Sequence, residues 1–123
     1  MNLLISENRT ISDIQKEFNS YFPFLKIEFS RHSMTNLSYE MYDRKKTIDP
    51  KKKISEVIKY HASGQIIIDN NMSVMHLEKR FREAFNLIVH VLRKSGNAWL
   101  QCTTTSNWSL DEQNNHGETL SSI

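Results

Sequence analysis

One cysteine and five histidines are the residues of this chain whose chemistry would suit nucleophilic catalysis or metal binding. A nucleophilic thiol needs a lowered pKa and a base within hydrogen-bond reach. Cys102 lies instead in the run "AWLQCTTTS", which is typical of a strand, where cysteine commonly acts as a small buried hydrophobe. The sequence therefore favours a structural role for Cys102, gives no catalytic residue and points away from an enzyme.

The histidines are spread over different segments of the chain, at His32, His61, His76, His90 and His116. No two of them have the i, i+4 spacing that places two imidazoles on one helix face for zinc. A single cysteine allows neither an intramolecular disulfide nor a CxxC zinc element. We therefore expect no metal site and no cofactor, and each histidine is interpreted as a surface or half-buried side chain.

A cluster of basic residues surrounds Pro50; its members are Arg44, Lys45, Lys46, Lys51, Lys52 and Lys53. Six cations within ten positions raise the local electrostatic potential, which suits a phosphate group or a nucleic-acid backbone. Nearby aromatic side chains offer stacking surfaces for bases, namely Tyr39, Tyr42 and Tyr60. Against this, the net charge of the whole chain is only +2, so a solvated loop is the alternative interpretation.

Two amphipathic helices are predicted from apolar residues at spacings of three and four. The first begins after Thr10, carries a stripe from Ile11 to Phe22 and ends at Pro23, and the second carries a stripe from Val74 to Phe85. Strands are predicted at "NLLI", "FLKIEFS", "GQIIIDNN" and "LIVHVLRK", and a tight turn at Gly96 and Asn97 leads into a hairpin strand through Trp99. Ser109 and Glu112 form a capping box that begins a short third helix.

The two helical stripes match each other at a constant offset along the chain. Ile11, Ile14, Phe18 and Phe22 correspond to Val74, Leu77, Phe81 and Phe85, each 63 positions later, and the following strands match at an offset of 62. Each half therefore reads strand, helix, strand. Two such βαβ units side by side predict an α+β, ferredoxin-like or related fold with an internal pseudo-repeat, extended by a C-terminal hairpin strand and a short helix.

The stretch from Arg93 to Asn114, "RKSGNAWLQCTTTSNWSLDEQN", together with "EKRFREAFNLIVHV" before it, resembles a family of small uncharacterised bacterial proteins with an "RKSGN-WL" hairpin and a "TT-T-W-(S/T)L--QN" tail. The resemblance also reaches "TISDIQKEFNSYFPFLKIEF", so it implies one compact domain over most of the chain, and it implies no activity. Gln101 stands where the pattern has an acid, and Ser106 and Asn107 stand where it has aspartates.

The hairpin strand and the strand before it share a second sheet face, which carries Ile88, Leu92 and Trp99. An apolar face of this kind needs a cover, either the third helix, the middle segment or a second copy of the chain. We therefore expect a binding or assembly module that self-associates through this face, as a homodimer. Nucleic-acid or polyanion binding through residues 44–53 is the alternative.

Length and composition set the remaining expectations. A chain of 123 residues with 38% hydrophobic content suits one globular domain over residues 1–123. Residues 31–61 form a charged, irregular connection, and residues 115–123 form a loosely ordered tail. The N-terminal sequence lacks a signal peptide and no apolar run is long enough to span a membrane, which favours a cytoplasmic location.

Overall fold

The computed structural model describes residues 1–31, 46–58 and 64–121. The first half of the chain contributes strand β1 (Asn2–Ile5), helix α1 (Ile11–Tyr21), strand β2 (Leu25–Arg31) and the single turn of helix α2 (Ile54–Val57). The second half contributes strand β3 (Gly64–Ile67), helix α3 (Val74–Phe85), strands β4 (Leu87–Ser95) and β5 (Ala98–Gln101), and helix α4 (Leu110–Ser121).

The strands form two antiparallel sheets. In the two-stranded sheet β1 pairs with β3, so that Leu3 lies opposite Ile66. In the three-stranded sheet the order is β2-β4-β5, and Glu28 lies opposite His90. The fold is therefore α+β and compatible with a ferredoxin-like or related arrangement, which confirms the fold class predicted from the sequence.

The apolar stripes of α1 and α3 face a single hydrophobic core. Phe18 and Phe81, the central residues of the two stripes, are both fully buried. The ring of Phe81 packs edge to face on that of Phe29 at a centroid distance of 5.6 Å, which joins the second half to β2 of the first. Because the inner residues of both sheets belong to the same cluster, the two sheets share one core.

The predicted pseudo-repeat recurs in the hydrogen bonds that fix the two long helices. The N–H of Ile11 donates to the carbonyl of Lys52 at 2.9 Å, and its counterpart Val74 donates to the carbonyl of Trp108 at 3.2 Å. The next residues of both helices repeat the pattern, from Ser12 to Pro50 and from Met75 to Ser106. Each long helix thus begins against a turn of its own half, and the two turns are equivalent in the repeat.

The registers of the two sheets show that the two halves of the chain are related by an approximate two-fold axis. Leu3 lies opposite Ile66, its counterpart 63 positions later, and Glu28 lies opposite His90, its counterpart 62 positions later. A two-fold axis normal to a pair of strands reverses their direction, so equivalent strands pair antiparallel. In a βαβ unit both strands belong to one sheet. Here β1 and β2 lie in different sheets, so this part of the prediction is not met.

Helix α4 is longer than the short helix expected from the sequence, and residues predicted as a loosely ordered tail are helical as far as Ser121. The side-chain oxygen of Asn114 accepts a hydrogen bond from the backbone N–H of Phe24 at 2.9 Å. A Cβ at Gly117 would lie 2.9 Å from the Cβ of Phe24, so glycine permits this close approach. These contacts with residues far away in sequence stabilise helical turns that the local sequence pattern does not indicate.

The connection predicted at residues 31–61 is described for Arg31 and for residues 46–58. Ile48 and Ile54 are buried in the core, and the N–H of Ile48 donates to the carbonyl of Phe29 at 2.7 Å. This part of the connection is therefore packed against β2, and it contains the single turn of α2. The other residues of the connection lie outside the described part of the chain.

A buried polar network attaches α4 to the sheet. Gln113 is fully buried; its amide donates to the carbonyl of Thr105 at 2.6 Å and its oxygen accepts from the guanidinium of Arg93 at 2.7 Å. The same guanidinium lies 5.9 Å from the ring centroid of Trp108. A neutral amide that satisfies a carbonyl and a cation at once fixes the position of α4 along β4.

We predict that Gln113→Ala lowers the free energy of unfolding by roughly 2–3 kcal/mol, because Arg93 and the Thr105 carbonyl both lose a buried partner. Urea unfolding measures the change. Asn115→Ala, at an exposed position of the same helix, is the matched control and should change the stability by less than about 0.5 kcal/mol. Equal effects of the two substitutions would contradict the role given to Gln113.

Candidate functional site

The three residues of the predicted self-association surface lie in different environments. Ile88 and Leu92 are only 3% and 2% exposed within one chain, so neither offers a free apolar surface. Trp99 is half-buried, and the ammonium of Lys26 lies over its ring at 5.0 Å from the centroid. A homodimer through this face stays a prediction. The exposed aliphatic surface on which the prediction was based is not present, because Ile88 and Leu92 are buried.

The basic cluster is described in part, since Arg44 and Lys45 lie outside the described residues. Lys46, Lys51 and Lys53 are exposed and Lys52 is half-buried. The backbone of this turn is fixed, because the carbonyls of Pro50 and Lys52 accept hydrogen bonds from the first residues of α1. Lys51, Lys52 and Lys53 therefore project from a turn that is hydrogen-bonded to the positive end of α1, while Lys46 lies outside this turn, next to β2.

Cys102 is buried, as the sequence indicated. Burial is the main cause that raises the pKa of its thiol to about 11, and the nearby carboxyl of Glu78 acts in the same direction, against the guanidinium of Arg93. The thiol is therefore protonated at neutral pH and is a poor nucleophile. His90 is buried, whereas His76 and His116 are exposed, and the ring of His116 packs edge to face on Trp108.

A groove of about 590 Å³ runs between α3 and the end of β5. Helix α3 contributes Met75, Glu78, Lys79, Arg82 and Glu83, and the opposite wall consists of Gln101, Cys102, Thr103 and Ser106. Most of these side chains are polar or charged, and both signs of charge are present. Gln101 and Ser106 are two of the positions where the predicted family pattern has an acidic residue and this chain does not.

Glu78 closes the inner side of this groove and ends the pairing of β4 with β5. The N–H of Cys102 donates to the carbonyl of Val91 at 3.2 Å, which continues the register of the two strands by one step. In a regular antiparallel ladder the N–H of Val91 would in turn donate to the carbonyl of Cys102. It donates instead to the carboxyl of Glu78 at 3.3 Å. A side chain of α3 thus takes over one backbone hydrogen bond where β5 leaves the sheet.

The environment of Glu78 favours its neutral form. Removal from water raises the pKa of this carboxyl from an ordinary value of 4.5 to about 7, while the Val91 amide and the Arg82 guanidinium act weakly in the opposite direction. The carboxyl is therefore close to half-protonated at neutral pH. In that state it can donate as well as accept a hydrogen bond, and it exchanges a proton near physiological pH.

The pseudo-repeat supplies an internal comparison for this site. Gln15 occupies the position of α1 that corresponds to Glu78 in α3, and Asn19 occupies the position that corresponds to Arg82. The amide of Gln15 donates to the carbonyl of Ile27 at 2.9 Å, and the amide of Asn19 donates to that of Leu25 at 2.8 Å. In the first half these positions are amides that bind the backbone of β2 beside a groove of about 330 Å³, whereas in the second half they are charged groups beside the larger groove.

The sequence pattern does not indicate a functional role for Glu78. The residue follows Leu77 on the flank of an apolar stripe, where an acidic residue usually reaches solvent. The available signal was the repeat itself, which aligns Glu78 with an uncharged amide in the other half. The carboxyl of Glu78 is desolvated because the end of β5 lies close to α3. The spacing of apolar residues along a helix carries no information on the distance between these two elements.

We predict that Glu78→Gln removes a pH dependence of stability between about pH 4.5 and 7. Because the folded state raises the pKa of this carboxyl to about 7, the folded protein binds more protons than the unfolded chain in that range, and the wild type loses stability as pH rises. The loss is on the order of 3 kcal/mol from pH 4.5 to pH 8. The variant keeps an oxygen acceptor for Val91 and should be the more stable protein at pH 8.

Urea unfolding at a series of pH values measures this difference. Glu83→Gln is the matched control, because Glu83 lies on the same helix with a side chain that is 61% exposed, and the pH profile of that variant should follow the wild type. A Glu78→Gln profile with the same slope as the wild type would show that the carboxyl is solvated.

Comparisons with protein-family models, with curated proteins and with solved structures gave no significant match. The resemblance to a family of small bacterial proteins therefore stays a prediction. Over the described residues no helix has both the length and the apolar character needed to cross a membrane. In the same part of the chain no group of three or more His, Cys, Asp or Glu side chains is placed to hold a metal ion.

Proposed function

We propose that this protein acts as a non-enzymatic binding module and that its ligand occupies the groove between α3 and the end of β5. The observation that carries the proposal is the difference between the two equivalent helix faces. At α1 the amides of Gln15 and Asn19 bind the backbone of β2 beside a groove of about 330 Å³, while at α3 the carboxyl of Glu78 and the guanidinium of Arg82 line a larger groove of about 590 Å³.

An exposed apolar side chain supports a binding role at this place. Met75 lies in the groove and is 54% exposed. A large apolar side chain that stays exposed within a concave polar surface is a common feature of binding sites. The buried, protonated thiol of Cys102 favours binding over nucleophilic catalysis. A cytoplasmic location belongs to the same proposal, since Cys102 is a free thiol.

Polyanion binding through the basic turn is a second candidate. Lys51 and Lys53 are exposed, and neither forms an ion pair with an acidic side chain in the described part of the chain. The equivalent turn of the second half carries Asn107 and Ser109 at these two positions, so the positive charge belongs to the first half alone. Unpaired lysines on a fixed backbone suit phosphate groups.

The groove is tested by blocking it at its rim. Thr103 lines the groove and is exposed, so we predict that Thr103→Trp fills the opening without disturbing the core. A library of small fragments is titrated into isotope-labelled protein, and amide shifts are followed by NMR. In the wild type the shifts should cluster at Met75, Cys102 and Ser106, and the fragments should bind Thr103→Trp at least about tenfold more weakly.

Thr104→Trp is the matched control, because Thr104 is exposed and does not line the groove. Its fragment affinities should equal those of the wild type. Fragment shifts that spread over the surface, or that cluster beside Gln15 and Asn19 on α1, would contradict the proposed site.

The basic turn is tested by charge reversal. We predict that the double variant Lys51→Glu, Lys53→Glu binds heparin or single-stranded DNA more weakly than the wild type. The slope of the logarithm of the binding constant against the logarithm of the salt concentration should decrease by about one for each phosphate group that the variant no longer binds. Lys16→Glu with Arg80→Glu changes the net charge equally at two other exposed positions and serves as the control. Equally weakened binding in both variants would mean that only net charge matters, and salt-independent binding would exclude a polyanion site.

A further inference from the structure

We propose that the partner in the groove is an extended polypeptide segment, which pairs with the outer edge of β5 as an added strand and places alternate side chains beside α3. This inference rests on the proposed function and names the class of ligand. It follows from the direction of the backbone groups of β5, from the difference between the two edges of the three-stranded sheet, and from the composition of the groove.

The register of the sheet shows which groups of β5 point outward. The N–H of Cys102 donates to Val91 in β4, so residues 98, 100 and 102 direct their backbone groups toward β4. Trp99 and Gln101 lie between them and direct their N–H and C=O groups away from the sheet. In the part of the chain that the structure describes, these outward groups form no hydrogen bond. Four unpaired backbone groups thus lie along one strand edge.

The opposite edge of the same sheet is closed. Along β2 the carbonyls that point outward belong to Leu25, Ile27 and Phe29. They accept hydrogen bonds from Asn19, Gln15 and the backbone of Ile48, at 2.8, 2.9 and 2.7 Å. Folded proteins generally cover a strand edge or protect it, because an open edge pairs with other chains. In this sheet α1 and the backbone of Ile48 cover the outer edge of β2, while the outer edge of β5 is left open beside the groove.

The groove lies where the side chains of an added strand would be placed. A strand paired with Trp99 and Gln101 runs alongside Cys102 and Thr103 and faces the exposed part of α3. Backbone hydrogen bonds supply affinity in such complexes, and alternate side chains supply specificity. A side chain in the groove meets acidic groups at Glu78 and Glu83 and basic groups at Lys79 and Arg82, so an uncharged polar residue fits best.

The size of the open edge favours a peptide over a second copy of the chain. Four residues of β5 span about 13 Å, and stable dimers commonly bury on the order of 800 Å² of each partner. The aliphatic residues that would enlarge a dimer interface, Ile88 and Leu92, are buried within the chain. A peptide needs only the edge and the groove, and binding of moderate affinity is expected.

The probe is a phage-displayed library of random octapeptides, selected on the full-length protein. A selected peptide is then resynthesised with a single N-methyl group at each position in turn, since N-methylation removes one backbone donor. We expect N-methylation at alternate positions to weaken binding at least tenfold and N-methylation at the positions between them to have little effect. This alternation is characteristic of strand pairing and requires no protein variant.

Gln101→Pro tests the same contact from the protein side. Proline removes an N–H that points away from β4, so the pairing of β4 with β5 is retained, as proline at strand edges generally allows. We expect at least a tenfold loss of peptide affinity, with an amide spectrum that otherwise resembles the wild type. Gln101→Ala loses the same side chain but keeps the N–H, so it should bind peptide at least tenfold more tightly than Gln101→Pro.

The outcomes separate the two proposals. A selection that yields no binder, or a binder indifferent to N-methylation and to Gln101→Pro, overturns strand addition; if fragments still bind in the groove, the proposed function stands. If fragments fail to map to the groove as well, both proposals are wrong. A solution mass that rises from 14.5 toward twice that value with concentration, and returns to 14.5 kDa in Gln101→Pro, would make a second copy the occupant and would overturn the peptide proposal.

Discussion

Antiparallel pairing of β2 with β4 is the contact through which the two halves of the chain become one structure. Glu28 and its repeat counterpart His90 lie opposite each other at the centre of this pairing, and the remaining residues follow in register on either side. The same symmetry sets Leu3 opposite Ile66 in the smaller sheet. Because the stripes of α1 and α3 pack on the faces of these strands, the core depends on the pairing as well.

The repeat keeps its backbone plan where the side chains have diverged. Both long helices begin against an equivalent turn, with the same pair of backbone hydrogen bonds, although one turn carries lysines and the other Ser106 and Trp108. Backbone groups impose the same geometry whatever side chain projects from them, so the surface of each turn is free to differ. The two candidate binding surfaces, the basic turn and the groove, are both places where the halves differ.

The desolvated carboxyl of Glu78 is an unusual acceptor for a hydrogen bond that only stabilises the fold, here the one from the Val91 N–H. Gln15 occupies the equivalent position in α1 and satisfies a backbone carbonyl without burying a charge. At neutral pH the Glu78 carboxyl is partly ionised in a place that disfavours its charge, which lowers stability. An amide at position 78 would keep an acceptor for Val91 without this destabilisation. The difference supports the proposal that the groove binds a ligand.

Local periodicity in the sequence determined the two amphipathic helices, the strands that flank them, the repeat at an offset near 63 and the α+β class, because each depends on neighbours along the chain. The tertiary structure decided the rest. The separation of β1 and β2 into two sheets, the length of α4, the burial of Ile88 and Leu92 and the desolvation of Glu78 depend on distances between segments far apart in sequence. A pattern of residue types shows which face of an element is apolar, whereas the neighbour that covers this face is set only when the halves pack together.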